Sequence, residues 1–482
     1  KVMRVCLLAG LYQTKERSLE NLDKIQLSKS SIRVPSSFFT YYDLKSLFSA
    51  LLKIRYCNCK VDWTDNPLVS RIIAHEMLLG RDYLLNRSNM DSFLYNISSK
   101  AKGKACSGIP ELDLLIGEYE DEVPAVLDMN STAITNTQVL IAGATGSGKT
   151  NMLAVLINQM RTLSIESPYP VNFLLFDYKG EFSDPVHNDW LRLFEVDRTC
   201  ILNPVEQPLP FSPFKDFTGK SLGDINLYST EMANALCALD RASISANMSN
   251  RLSEAIVNAY KKTQQKPINF DMMLTEYRAL MEKADKGDSI TSVLSQLIRA
   301  NLFESQDKVD LVKECYIIKM DAFPKEGAIA KAIVYFVMSK LNNIYEQLKP
   351  QDNDGKRVQL RHFTIIDEAH YMLDFDNRPL RNLIAVGRNK GLSIILATQN
   401  MDSFLSAHFD FYANAQYPLL MKQQTINDKV IKSLYGVSGN EFQELKSEIS
   451  MLQKGEVIIK DNMAIAIGMG RKWKKIHISH LI

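Results

Sequence analysis

The residues with the clearest chemical potential form one run, Gly143-Ala144-Thr145-Gly146-Ser147-Gly148-Lys149-Thr150. It follows the apolar segment Val139-Leu140-Ile141-Ala142 and matches the pattern G-x-x-x-x-G-K-[ST], which is typical of a phosphate-binding loop between a strand and a helix. Glycines let successive backbone N–H groups turn toward phosphate oxygens, and the positive end of the next helix strengthens that field. The pattern predicts that Lys149 contacts the β and γ phosphates of a nucleotide and that the Thr150 hydroxyl binds Mg²⁺. A glycine turn without chemical meaning is the alternative.

A second group of reactive residues lies much later in the chain. The apolar run His362-Phe363-Thr364-Ile365-Ile366 is followed directly by Asp367-Glu368-Ala369-His370. An apolar strand that ends in Asp-Glu is the Walker B arrangement, in which Asp367 holds the hydration shell of Mg²⁺ and Glu368 polarises the attacking water. A buried strand followed by a helix-capping acidic pair is the alternative interpretation.

Three further polar residues flank apolar runs. Asp177 ends the run Val171-Asn172-Phe173-Leu174-Leu175-Phe176, and we expect it at the carboxyl end of a parallel strand, beside the bound nucleotide. Gln399 follows another such run and is placed to sense the γ-phosphate or to orient water. Arg388, within Gly387-Arg388-Asn389-Lys390-Gly391, could face a neighbouring subunit's nucleotide and stabilise charge during phosphoryl transfer. A surface arginine after a helix is the alternative for Arg388.

Strands and helices must alternate to position these residues. After the phosphate loop, Met152, Leu153, Leu156, Ile157 and Met160 recur at helical spacing and predict an amphipathic helix. Residues 219 to about 305 have helical patterns, at 228–262, 270–284 and 289–303, without a catalytic signature. This predicts a helical insertion or subdomain. Short strands are expected at 315–320, 417–421, 455–459 and 463–467, and a long helix at 329–348. The pattern predicts an α/β fold with a parallel sheet.

Composition sets broad limits on the class of protein. The chain has 482 residues, 46% of them hydrophobic and 23% charged, which is typical of a globular protein large enough for two or three domains. No apolar run approaches the roughly twenty residues of a membrane-spanning helix, so no transmembrane segment is expected. Seven cysteines form no disulfide framework, which favours a reducing, cytoplasmic setting. The net charge of +2 does not indicate a partner, although the basic run Arg471-Lys472-Trp473-Lys474-Lys475 is compatible with phosphate contacts or with a solvated face.

The first part of the chain has no nucleotide motif. Amphipathic helices are expected at 41–54 and 67–85, and the second begins after Asp65-Asn66-Pro67, a sound helix start. Residues 99–108 are small, polar and basic, as in a linker. We therefore predict a small, mainly helical module at 1–108 that binds DNA or a partner, followed by an ATPase domain at 109–482.

The order of these motifs resembles the HerA/FtsK superfamily of hexameric DNA-pumping ATPases. The resemblance covers roughly residues 109–482, and the segment from Arg388-Asn389-Lys390-Gly391 to Ala397-Thr398-Gln399 is its most specific part. It implies a RecA-like P-loop core that hydrolyses ATP with Mg²⁺, a hexameric homo-oligomer that acts on double-stranded DNA, an arginine at position 388 that acts across the ring interface, and γ-phosphate sensing by Gln399. Proteins named HerA usually begin with a β-barrel, whereas this N-terminus has helical patterns.

The N-terminal module also resembles a second family. The segment Asp23-Lys24-Ile25-Gln26-Leu27-Ser28-Lys29, with the helical stretch up to Leu85, is faintly similar to the DndE protein of DNA phosphorothioation systems. That similarity implies a prokaryotic DNA modification or defence system and a nuclease or DNA-modification partner.

Two other classes of function stay open at this point. The same catalytic residues would serve a secretion or conjugation ATPase at a membrane complex. In a nucleotide-controlled assembly scaffold, ATP would set the oligomeric state and turnover would be slow. A superfamily 2 helicase is excluded because the phosphate loop and Walker B run lie far apart and no second helicase domain is visible.

Overall fold

The computed structural model describes residues 7, 51–56, 59, 61–64, 66–85, 108–184, 189–239, 244–282, 286–373, 377–405, 409–467 and 470–481. The chain divides into two compact units, Lys1–Ala105 and Cys106–Ile482. Among the described helices, none is both long enough and apolar enough to cross a membrane.

The described part of the first unit is helical. Helix α1 spans Asn66–Leu85 and confirms the helix predicted at 67–85, and residues 51–55 are helical too. Leu52, Tyr56 and Ile72 form a small buried cluster, and the Tyr56 hydroxyl donates a hydrogen bond of 2.9 Å to Oε1 of the buried Glu76. The segment 23–29, on which the DndE similarity depends, lies outside the described residues.

The second unit is built on one sheet of eleven strands in the order β2-β1-β11-β10-β9-β3-β8-β7-β4-β6-β5. The strands are β1 (Asp113–Tyr119), β2 (Pro124–Asp128), β3 (Val139–Ala142), β4 (Asn172–Asp177), β5 (Ile201–Leu202), β6 (Tyr316–Lys319), β7 (His362–Ile366), β8 (Leu392–Thr398), β9 (Tyr417–Leu420), β10 (Glu456–Lys460) and β11 (Trp473–Ile478). The seven strands from β9 to β5 are parallel, and the other four pair antiparallel at one side.

Helices cover the sheet. They are α2 (Lys149–Ser164), α3 (Asp189–Leu193), α4 (Leu222–Leu239), α5 (Ala246–Lys262), α6 (Phe270–Ala279), α7 (Ser289–Ala300), α8 (Ala328–Gln347), α9 (His370–Leu373), α10 (Arg378–Val386), α11 (Asp428–Tyr435), α12 (Gly439–Met451) and α13 (Asn462–Ile467). Short 3₁₀ turns span Arg198–Cys200, Gly387–Lys390 and Met401–Phe404.

The central strands are apolar on both faces because both faces are buried. In β3, Leu140 and Ala142 contribute to one hydrophobic cluster, while Val139 and Ile141 contribute to the other. This follows from the two-residue period of a strand, which sends successive side chains to opposite faces. The first cluster includes residues of α4, α5, α7 and α8, and the second includes residues of α2. The predicted α/β fold is confirmed.

The predicted helical region, 219 to about 305, contains α4 to α7. The single helical pattern expected at 228–262 is two helices, since α4 ends at Leu239 and Ser245 caps α5 by accepting a hydrogen bond from the Met248 N–H. These helices pack on the same face of the sheet as α8. The limits of the subdomain remain a prediction.

The strand predicted at 463–467 is wrong. Residues 462–467 form helix α13, and the Asp461 carboxylate accepts a hydrogen bond of 3.0 Å from the Ala464 N–H at its start. A short apolar run cannot be assigned to a strand or a helix by periodicity alone, and here the capping aspartate decides. No sequence pattern indicated β1, β2 and β11, which are half-exposed strands.

The basic run 471–475 belongs to β11 and the residues before it, where acidic side chains neutralise its charges. Residues 118–122, an acidic stretch, end β1 and form the following turn, and β11 pairs with β1. The ion pairs are Arg471–Glu448, Lys472–Glu441, Lys474–Asp461 and Lys475–Glu120. Local pairing therefore accounts for these charges.

Candidate active site

Most of the predicted chemical groups meet at one edge of the sheet, where the parallel strands end. Strands β3, β8, β7 and β4 are consecutive and parallel, so their carboxyl ends lie side by side. The phosphate loop follows β3, Asp367 and Glu368 follow β7, and Gln399 follows β8. Ligands of open α/β sheets bind outside the carboxyl ends of the strands, so this edge is the candidate active site.

The phosphate loop has the conformation that its sequence predicts. Gly148 has a φ of 102°, a left-handed geometry that favours glycine, and α2 begins at the next residue. Neighbouring strands hold the loop in place: the Ala144 N–H donates to the Lys422 carbonyl at 2.8 Å, and the Gly455 N–H donates to the Ser147 carbonyl at 2.9 Å. The amides at the start of α2 are thus available to an anion.

Lys149 lies inside the loop with 4% of its surface exposed. Its ammonium donates to the Gly143 carbonyl at 2.5 Å and to the Ala144 carbonyl at 3.4 Å. Burial lowers the pKa of Lys149, while the carboxylates of Glu368 and Asp367 oppose that shift. Thr150 is half-buried in the first turn of α2. Lys149 therefore occupies the motif position that contacts phosphate, and Thr150 occupies the motif position that binds Mg²⁺.

Asp367 is a buried carboxylate at the end of β7, with 2% of its surface exposed. Its Oδ1 accepts a hydrogen bond of 3.0 Å from the Glu368 N–H. Burial raises the pKa of Asp367 to about 7, and the charge of Glu368 adds to that effect while Lys179 opposes it. A cation beside this carboxylate would stabilise its charged form.

The site fits Mg²⁺ carried by a nucleotide. The described residues contain no group of three or more His, Cys, Asp or Glu side chains that could hold a metal on their own. Mg²⁺ is usually bound by one or two protein oxygens, together with substrate phosphates and water. Thr150 and Asp367 are the protein oxygens that would hold it here, and the ion would supply charge neutralisation between the phosphates.

Glu368 has an unusual backbone and is surrounded by polar side chains. Its φ is 54°, a left-handed value that strains a non-glycine residue, and its side chain is fully buried. Its Oε1 lies 2.8 Å from the Lys179 ammonium, and its Oε2 lies 3.3 Å from Nδ1 of His370. Burial opposes the charged form, but the hydrogen bond and charge of Lys179 prevail and lower the pKa of Glu368, with help from Lys149 and Gln399.

Asp177 ends the parallel strand β4, where the sequence predicts it, but its carboxylate is bonded to the loop that follows. Its carboxylate accepts hydrogen bonds from the backbone N–H groups of Gly180, Phe182 and Ser183 and from the Ser183 hydroxyl, at 2.8 to 3.0 Å. These bonds occupy both oxygens, and the residue is fully buried. The geometry therefore gives Asp177 the task of shaping the loop after β4, rather than direct contact with a nucleotide.

Gln399 and Arg388 lie at opposite ends of strand β8, Gln399 after its carboxyl end and Arg388 before its amino end. Gln399 is exposed beside the phosphate loop, and its side chain helps to lower the pKa of Glu368. Arg388 lies in the 3₁₀ turn before β8, and that strand of seven residues separates the two residues by about 20 Å at roughly 3.3 Å per residue. Burial lowers the pKa of Arg388, and its Nε has no hydrogen-bond partner among the described residues. Arg388 is therefore too far away to contact a nucleotide in its own chain.

Lys179 is the residue of this site that the sequence did not reveal. It belongs to the run Asp177-Tyr178-Lys179-Gly180-Glu181, which follows β4, but no local pattern connects it with Glu368. The connection comes from the sheet, since β4 and β7 are paired and both end at the active-site edge. The sequence feature that could have indicated this contact is a lysine directly after a parallel strand that pairs with the Walker B strand.

A parallel sheet with a phosphate loop on a central strand and an acidic pair on a nearby strand defines a P-loop ATPase. Residues 114–404 match the family described as the central domain of the helicase HerA. The match covers more than half of the chain, and the chain belongs to this family. The predicted membership of the HerA/FtsK superfamily of P-loop ATPases is confirmed.

Two relatives match about two thirds of the chain. The chain is 24% identical over 344 residues to the DNA import protein CedB of Sulfolobus acidocaldarius, an alignment that covers 69% of this chain and 51% of that protein. It is 22% identical over 354 residues to the DNA double-strand break repair helicase HerA of Sulfurisphaera tokodaii, covering 69% of this chain and 63% of that protein. The chain thus spans about half to two-thirds of the length of these relatives.

A solved structure supports the fold. VirB4 of Thermoanaerobacter pseudethanolicus superposes with a TM-score of 0.56 at 16% identity, covering 78% of this chain and 98% of that chain. At this identity the likeness concerns the fold alone.

Proposed function

We propose that the chain is an ATP-hydrolysing ring motor that acts on double-stranded DNA. The observation that carries this proposal is the division of the catalytic groups between two edges of the sheet. The phosphate loop, Asp367 and Glu368 lie at the carboxyl edge, whereas Arg388 lies about 20 Å away at the amino edge. A second copy that presents its Arg388 to this site would complete it, and repetition of that head-to-tail contact closes a ring. We propose a hexamer, as in the superfamily.

The site residues take the following roles in this proposal. The loop from Gly143 to Gly148, which includes Ala144, Thr145, Gly146 and Ser147, surrounds the phosphates of ATP. Its later amides and those at the start of α2 donate to the phosphates, and Lys149 neutralises the β and γ phosphates. Thr150 and Asp367 hold Mg²⁺. Glu368 polarises the attacking water, and Gln399 senses the γ-phosphate through its contact with Glu368.

The similarity to a DNA import protein and to a DNA repair helicase supports DNA as the substrate. The basic run 471–475 is not the surface that we propose for it, because those charges have acidic partners within the chain. We propose a prokaryotic DNA-processing or defence system in the cytoplasm, with a nuclease or DNA-modification enzyme as partner and with residues 1–108 as the module that binds DNA or that partner.

Steady-state ATPase activity tests this proposal. The purified chain would be assayed with and without linear duplex DNA, at low and at moderate salt, beside Glu368→Gln. We expect strong stimulation by duplex DNA that weakens as salt rises, because phosphate contacts release counterions. Turnover that is indifferent to DNA at both salt concentrations would contradict a DNA motor.

A transport ATPase at a membrane complex is the second candidate, and the similarity to the DNA import protein CedB is the observation that favours it. Such a protein would use the same catalytic residues, so its partners must distinguish it. Recovery of the chain with membranes, through a protein that spans them, would support this candidate. An assembly scaffold would instead keep its biological output in Glu368→Gln, where assembly persists and hydrolysis is lost.

A further inference from the structure

The proposed catalytic carboxylate is already engaged by a lysine. Oε1 of Glu368 lies 2.8 Å from Nζ of Lys179, and the two side chains are 0% and 24% exposed. A carboxylate that accepts such a charge-assisted bond is a weaker base and has less capacity to accept a proton from water. The arrangement therefore holds Glu368 in a form that is poorly suited to polarise the attacking water.

The position of Lys179 is fixed by the loop that carries it. The Asp177 carboxylate accepts three backbone N–H bonds and one hydroxyl bond from residues 180–183. Gly180 follows Lys179 with a φ of 75°, and a Cβ there would lie 2.8 Å from Oδ2 of Asp321. The loop thus has one well-defined shape, and Lys179 approaches Glu368 from a set direction.

The two lysines of the site belong to one electrostatic cluster. Burial disfavours both ammonium groups, and the carboxylates of Asp367 and Glu368 oppose that effect. Burial prevails at Lys149 and lowers its pKa, whereas the carboxylates prevail at Lys179 and raise its pKa. The charge of Lys179 in turn lowers the pKa of Lys149. In the proposed function Glu368 lies within reach of the water that attacks the terminal phosphate, so that phosphate would arrive near the Lys179 ammonium, which is 2.8 Å from Oε1 of Glu368. A phosphate with two negative charges competes with a single carboxylate for that ammonium.

We propose that Lys179 is a positioning residue that holds Glu368 in an ion pair until a nucleoside triphosphate binds. The Lys179 side chain then exchanges Glu368 for the terminal phosphate as its ion-pair partner. This exchange leaves the Glu368 carboxylate free to polarise the attacking water. A diphosphate has no terminal phosphate at this place and leaves the ion pair intact. The inference rests on the proposed role of Glu368 in ATP hydrolysis. It makes Lys179 the residue that couples recognition of the triphosphate to activation of the base.

A double-mutant cycle tests the transfer. Affinities for ADP and for the β,γ-imido analogue of ATP would be measured for the full chain, for Lys179→Met, for Glu368→Gln and for the double variant, without DNA. Omitting DNA makes the result independent of whether DNA stimulates turnover. Lys319→Met is the matched control, because Lys319 ends β6 at the same edge, is 26% exposed and lies 3.8 Å from Asp321.

We expect Lys179→Met to weaken binding of the triphosphate analogue by about 10- to 100-fold, the value of one charge-assisted bond, and to change ADP affinity less than about twofold. Lys179→Arg should keep most of the discrimination, and Lys319→Met all of it. Unchanged ADP affinity also shows that the variant site is folded.

Glu368→Gln should tighten binding of the triphosphate analogue by about tenfold, because the ammonium no longer has to leave a carboxylate. This gain should disappear in the double variant. A gain that persists without Lys179 would show mere relief of repulsion between Glu368 and the phosphate, and would overturn the proposal. An unchanged ratio of triphosphate to diphosphate affinity in Lys179→Met would overturn it too.

Discussion

At the scale of single residues, two adjacent carboxylates have opposite environments. Asp367 is buried, and burial raises its pKa to about 7. Glu368 is also buried, but Lys179 lowers its pKa and keeps it charged. Pairs of acidic groups whose pKa values are driven apart often have different tasks in one reaction. Here the difference between the two pKa values agrees with the proposed roles, in which Asp367 holds Mg²⁺ and Glu368 becomes the base once Lys179 has left it.

Asp367→Asn should stabilise the fold at alkaline pH. Because the folded-state pKa lies above the unfolded-state value, folding favours the protonated carboxyl, and that contribution is lost as pH rises through about 7. Without Mg²⁺ and nucleotide, we expect the variant to gain about 1–2 kcal/mol at pH 8. The gain should shrink below pH 7 and vanish near pH 4. Thermal melts at pH 8, 6 and 4 measure it, and a gain independent of pH would contradict the assignment.

Lys149→Ala should abolish turnover by removing the cation that neutralises the β and γ phosphates. We expect kcat to fall by at least about 100-fold, the usual cost of deleting one electrostatic contact to a reacting group. Titration with a fluorescent ATP analogue should show much weaker binding, while thermal stability should not fall because burial of this ammonium is itself unfavourable. Near-normal turnover in this variant would show that the loop does not bind the reacting nucleotide.

At the scale of elements, the loop after β4 contributes Lys179 to the site, although its sequence does not indicate a contact with Glu368. The phosphate loop and the Walker B strand could be predicted because each is a local pattern with a local structural context. The role of Lys179 could not, since its partner lies on another strand. The strand expected at 463–467 failed for a related reason, because a cap outside the apolar run determines the structure.

Gly180→Ala should disturb this loop and reduce turnover. Gly180 has a left-handed φ of 75°, and a Cβ at this position would lie 2.8 Å from Asp321 Oδ2. We therefore expect the free energy of unfolding to fall by about 1–2 kcal/mol. Gly219→Ala is the matched control: its φ is 76°, but its Cβ would meet nothing within 4 Å. ATPase assays and thermal melts should show that both variants lose stability and that Gly180→Ala alone loses turnover. Equal turnover in the two variants would argue against a catalytic role for the loop.

At the scale of the whole molecule, the parallel sheet is the basis of the proposal that the site is completed by a second copy. The α/β fold could be predicted from alternating apolar runs and helical patterns, and so could most of the catalytic edge. The antiparallel strands β1, β2 and β11 could not, because β1 and β11 mix charged and apolar residues without strict alternation and β2 has only five residues. Arg388 and Gln399 are close in sequence, yet β8 carries them to opposite edges. The separation of Arg388 from the catalytic groups, which is the strongest argument for a ring, therefore cannot be predicted from the short distance between these residues in the sequence.

Mixing two inactive variants tests the shared site most directly. Arg388→Ala retains Glu368 but offers no arginine, while Glu368→Gln offers Arg388 but has no base. In rings assembled from equal amounts of both, about one interface in four would combine an intact base with an intact arginine. We expect each variant alone to lose nearly all turnover and Arg388→Ala to bind ATP almost normally.

The mixture should recover about a quarter of wild-type ATPase activity, with co-assembly confirmed through different affinity tags. The matched control mixes Arg388→Ala with the double variant Arg388→Ala/Glu368→Gln, which supplies no arginine and should stay inactive. If co-assembled rings of the two single variants were no more active than either variant alone, Arg388 would not act across the interface, and the proposed division of the active site between two copies would be wrong.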